Sequence, residues 1–170
     1  GAQDNTDVLT REGDEHVATL DGREQTIAIL LSAVETARAN GDSVKAARYL
    51  NRVGRLQLLL THADEALKTY QDALNTINNQ DAATKIASLN GVAAAHGYMS
   101  NCAAAKPFSD DAIELSNQTH NDAGKAQALL TLSECQVTTD QLLALKTAQE
   151  ALELWKSVNN KWGIGKTYSA

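Results

Sequence analysis

The sequence predicts an all-α protein: a right-handed α-solenoid built from antiparallel helix pairs. Three observations lead there. The chain has one Pro, 4% aromatic residues and abundant Ala and Leu, a helix-forming composition. One apolar helix stripe returns at a fixed offset of 39 residues. Turn-forming Asn, Gly and Asp recur where one such unit hands over to the next. At 170 residues and 43% apolar content, the chain can bury about 70% of its extended surface and fold without staples. A net charge of −6 argues against nucleic acid or anionic membrane as a general partner. No stretch approaches the roughly 18 unbroken apolar residues of a membrane helix, so no membrane insertion is expected.

The stripe is clearest over Ala66, Leu67, Tyr70, Ala73, Leu74 and Ile77. Two periods on, it reads Ala144, Leu145, Ala148, Ala151, Leu152 and Trp155, and the middle copy keeps Ala105, Ala112 and Ile113. Spacing of i, i+1, i+4, i+7, i+8 and i+11 is one face of a helix. A helix precedes each stripe, with Leu50, Val53 and Gly54 answered by Leu89, Val92 and Ala93, then by Leu129, Leu132 and Ser133 one residue late. Loops absorb such slips while packed helices keep register. Asn40-Gly41-Asp42, Asn79-Gln80-Asp81, Asn121-Asp122 and Asn159-Asn160 close one pair and cap the next. Asp21-Gly22-Arg23-Glu24 resembles a capping box opening a helix through Ala39, whose Ala33, Val34, Thr36 and Ala37 precede Ala73, Leu74, Thr76 and Ile77 by 40.

Helices are therefore expected near 5–20, 22–39, 43–59, 63–78, 82–98, 101–118, 122–137, 140–158 and from 161 onward. The domain reading is a degenerate hairpin or cap over 1–40, repeats over 41–80, 81–120 and 121–160, and the first helix of a truncated repeat over 161–170. Pro107 falls inside the middle stripe. It predicts a kink or late helix start around Ala104–Phe108, or else simple tolerance near a helix N-terminus.

Leu50, Val53-Gly54, Ala66 and Ala73, then Leu89, Val92-Ala93, Ala105 and Ala112, then Leu129, Leu132-Ser133, Ala144 and Ala151, resemble the tetratricopeptide repeat. The resemblance covers 43–158 well and 21–39 weakly. Its period exceeds the family's usual one and is similar to the longer repeats of kinesin light chains and bacterial signalling proteins. The aromatic usual after the Leu-Gly pair is replaced by Gln57, His96 and Gln136. The resemblance implies a non-catalytic scaffold that binds a protein or peptide in a concave groove lined by the first helix of each pair. The family register aims Arg48, Asn51, Arg52, Arg55 and Leu59 at that groove, followed by Ala87, Asn90, Ala94 and Tyr98, then Gln127, Leu130, Glu134 and Thr138.

Arg48, Arg52 and Arg55 form a cationic stripe suited to carboxylates or phosphates of an acidic peptide, unless they are a solvated face. Asn51 and Asn90, 39 apart, could hydrogen-bond an extended peptide backbone, or be incidental. Ala87, Gly91, Ala94 and Gly97 either let the array curve or leave room for a ligand. A structural spacer or dimerisation array is the rival function, with self-association through an exposed terminal helix.

Little else in the sequence suggests chemistry, and no cofactor or metal is expected. Gly163-Ile164-Gly165-Lys166-Thr167 lacks the first Gly of a phosphate loop, since position 160 is Asn. His16, His62, His96 and His120 lie at no metal spacing. Asn117-Gln118-Thr119 is a glycosylation sequon by pattern. Cys102 and Cys135 fall on neighbouring helices. Two small buried thiols are the favoured reading, although a bridge is geometrically conceivable. Gly1 reads as a residue left by cloning and Ala2 as a mature end, which favours export over a cytosolic location. The helical pattern from Lys161 suggests that a longer protein continues beyond it.

Overall fold

The computed structural model describes residues 20–158. The helices expected over 5–20 and from Lys161, the Gly163–Thr167 segment and His16 lie outside them. Seven helices follow one another among the described residues, with no strand: α1 (Leu20–Ala39), α2 (Ser43–Leu59), α3 (Ala63–Ile77), α4 (Ala82–Tyr98), α5 (Cys102–Thr119), α6 (Asp122–Gln136) and α7 (Gln141–Ser157). Each packs against the next. Every expected boundary within this range is met to two residues.

Short side chains set the starts. Asp42, Asp81 and Asp140 accept from the backbone N–H three residues on, at 3.0–3.1 Å, satisfying a donor that the helix leaves unpaired. Asn101 and Asn121 do the same for α5 and α6. α1 differs from expectation: Leu20 and Asp21 are already helical, so Asp21 is not a cap. The closing turns differ too. Gly41 takes the left-handed conformation expected of it, but elsewhere Thr61, Asn78, Ser100 and His120 carry the positive φ.

The buried positions of α3 and α5 repeat at the predicted offset, while α7 departs from the stripe, with Thr147 buried in place of Ala148 and Leu145 exposed. Ala66, Tyr70, Ala73 and Ile77 of α3 are buried, as are Ala105, Ser109, Ala112 and Ser116 of α5, 39 residues on. In α7 the buried set is Ala144, Thr147, Ala151 and Trp155. Leu50, Leu89 and Leu129 are buried at matching points of α2, α4 and α6, and so are Gly54, Ala93 and Ser133. Small residues at these crossings let helix axes approach closely.

The closest approach surrounds Tyr70. An ideal Cβ on Gly54 of α2 would lie 2.7 Å from its ring, and one on Gly91 of α4 would lie closer still. The ring is a wedge between two helices that have no side chain to yield, and Val92 and Ala66 share its cluster.

Two expectations are corrected. Cys102 and Cys135 are not free thiols: they form a disulfide with a Cα–Cα distance of 5.6 Å, joining the start of α5 to the end of α6. Antiparallel neighbours with matched ends bring both Cβ atoms within bonding range, which sequence spacing alone could not decide. Closing a loop across 33 residues stabilises the fold by about 3–4 kcal/mol in the chain-entropy picture. The late helix start at Pro107 does not occur either. α5 begins at Cys102 and runs through Pro107, its sixth residue. The carbonyl left without its donor belongs to Ala103, which is exposed, so water can take the place of the missing N–H.

Candidate ligand surface along the first helices

α2, α4 and α6 each pack on the helices before and after them. They also meet one another in series, α2 with α4 and α4 with α6. The second helices α3, α5 and α7 make no comparable contact with each other. The residues picked out from sequence therefore stand on one continuous row of helices.

Much of their polarity is spent within the row. Arg48 is exposed, yet its Nε donates to Thr84 Oγ1 at 3.3 Å and its guanidinium lies 3.6 Å from Asp81. Asn51 Nδ2 donates to the Thr84 carbonyl at 3.3 Å, and its Oδ1 accepts from Ser88 Oγ at 2.9 Å. Asn90 repeats the move one pair later, donating from Nδ2 to the Gly124 carbonyl at 2.9 Å. The two Asn are thus clamps from one first helix onto the first turn of the next. Asn90 is only 6% exposed, and its Oδ1 is buried without a hydrogen-bond partner. Gly124 makes this approach possible, since a Cβ there would meet Ile86 Cγ2 at 2.5 Å.

Asp81 is tied into the same group through Thr84 and Arg48. It caps α4, and Thr84 donates to its carboxylate from both N–H and Oγ1. Those bonds, reinforced by Arg48, hold its carboxyl below the usual range against the opposing effect of burial.

The remaining site residues divide by exposure. Arg52 and Arg55 are half-buried and neither is without a partner. Ala94 and Gln127 are half-buried, while Ala87, Glu134 and Tyr98 are open to solvent, Tyr98 at 58%. Leu130, aimed at the groove by family register, is instead fully buried between helices. It matches Asn90 of α4, which is likewise buried. Thr138 lies beyond the end of α6.

Thr84, Ser88 and Gly124 were not singled out from sequence. The recurrence of Asn at offset 39 was the available signal, but it reads equally as a ligand ladder or an interhelix clamp. His96 stacks on Phe108 with ring centroids 6.0 Å apart. A shallow depression between α4 and α5, lined by Lys85, Leu89, Asp111, Glu114, Leu115 and Gln118, involves none of the expected residues. Among the described residues no group of His, Cys, Asp or Glu could hold a metal ion, and no helix is long and apolar enough to cross a membrane. No protein-family model matches the chain, and no curated protein matches its sequence.

Proposed function

We propose that the chain is a non-catalytic, tetratricopeptide-like right-handed solenoid that binds a peptide or protein segment along α2, α4 and α6. The supporting observation is the series contact of these three helices without comparable contact among α3, α5 and α7. Helices that meet in series lie on the shorter, inner side of a curved stack. On that side the free elements are Ala87, Ala94 and Tyr98 of α4, flanked by Arg48 at one end and Glu134 at the other. Small side chains admit a backbone, and an exposed Tyr supplies area with little entropy loss on binding. The ligand suited to the Arg48 end carries acidic groups.

A phage-displayed library of extended peptides tests this. Selection on the wild-type chain should enrich acidic, aromatic-binding sequences, and Ala87→Glu and Tyr98→Ala should each reduce their binding about tenfold or more without shifting Tm. Unchanged binding by both variants rejects the surface.

A second reading, self-association, is favoured by α7. Leu142, Leu143 and Leu145 are 82%, 44% and 57% exposed. Sedimentation of wild type against Leu142→Glu/Leu145→Glu separates the two: dissociation of a wild-type dimer by the pair supports the array as a dimerisation element.

A further inference from the structure

We propose that the Cys102–Cys135 bridge is a redox latch on a weak boundary, so that reduction releases the α6–α7 pair as a hinged body. Tyr70 fills the boundary between α3 and α4, where it lies against Gly91; the matching position between α5 and α6 holds Ser109. Its hydroxyl is buried and has no hydrogen-bond partner, so this boundary loses apolar area and carries an unsatisfied polar atom. Thr131 in place of Gly91 refills only part of the volume.

The polar links follow the same trend. From α2 to the first turn of α4 run bonds from Arg48 and Asn51, and Ser88 returns one. From α4 to α6 the matching link is Asn90 to Gly124 alone, because Ala87 and Ala128 replace Arg48 and Ser88. The disulfide sits at this depleted boundary, joining its two helices.

Both sulfurs belong to half-buried residues, within reach of a small dithiol. The dithiol attacks as a thiolate and forms a mixed disulfide. It then closes on itself as a cyclic disulfide, and two electrons and two protons pass to Cys102 and Cys135 as thiols. With the bridge gone, the cluster of Leu89, Ala112 and Ala128 and the Asn90 clamp remain across the boundary. This inference stands whether or not the first helices bind a ligand.

Hydrogen exchange read by mass spectrometry on the full chain, oxidised and dithiothreitol-reduced, tests it. Reduction should raise exchange in α6 and α7 by about tenfold or more, and in α1, α2 and α3 by less than about twofold. An equal rise throughout, or none, overturns the latch. In the reduced chain Ser109→Val should restore at least about a third of the lost protection; no restoration overturns the weak boundary as its cause. Absence of a two-hydrogen mass gain on reduction, after equilibration with oxidised glutathione, overturns the bridge itself.

Discussion

The ring of Tyr70 occupies the volume that a side chain on Gly91 would need, and Gly54 flanks the same ring from the other side. Gly91→Ala should therefore destabilise by about 1–3 kcal/mol through overpacking. Tyr70→Ser should cost about 3–5 kcal/mol by leaving a cavity. The double variant should lose at least about 1 kcal/mol less than the two singles together, since each change relieves the other. Additive losses in urea denaturation would show that the wedge does not determine this packing.

Asn90 spends its amide donor on the Gly124 carbonyl. Asn90→Asp puts acceptors where the donor was and a buried charge beside a carbonyl, costing about 3 kcal/mol or more at pH 7. Burial raises the carboxyl's folded pKa, so this loss should shrink as pH falls and the protonated acid donates again. Asn90→Leu, mimicking Leu130, should stay within about 1 kcal/mol of wild type. Denaturation at pH 7 and pH 4.5 checks both.

Thr61 closes α2 with φ +64°, a conformation that costs a β-branched residue about 1 kcal/mol or more. It is exposed, so no packing is lost on replacement. Thr61→Gly should raise stability by about 0.5–1 kcal/mol despite the added freedom of the unfolded chain. A lower Tm would contradict the strain assigned to this turn.

Asp81 caps α4 with its carboxyl held below the ordinary range by Thr84. A depressed folded value means its contribution is fully present above about pH 4 and is lost as pH falls through that depressed value. Asp81→Ala should therefore cost about 1–2 kcal/mol at pH 7 and progressively less towards pH 2.5. A gap that persists unchanged in acid would refute the ionised cap.

The helices and their phase were readable because Ala66, Ala73 and Leu50 recur at intervals that packing enforces. What Asn51 and Asn90 do was not readable, because an amide on a helix face serves a ligand or a neighbouring carbonyl equally well. The distinction lies in whether Thr84 and Gly124 come within 3.3 Å, which the crossing of two helices decides. The Cys102–Cys135 bridge escaped for the same reason: it depends on the relative shift of α5 and α6 along their axes. The positive φ of Thr61, Ser100 and His120 was not readable either, since local preference gives that conformation to Gly or Asn.

The amide clamps also give the stack a direction. α2 and α4 each reach forward with an amide side chain, and α4 and α6 are each held from behind by an opening carbonyl, so the connector is head-to-tail. At the matching position α6 carries Leu130, a side chain with no amide to offer. Tandem copies of the α4–α5 pair would extend the chain of connectors, because each copy carries both Asn90 and Thr84, whose carbonyl accepts from the matching Asn51, whereas copies of α6–α7 would lack the amide clamp.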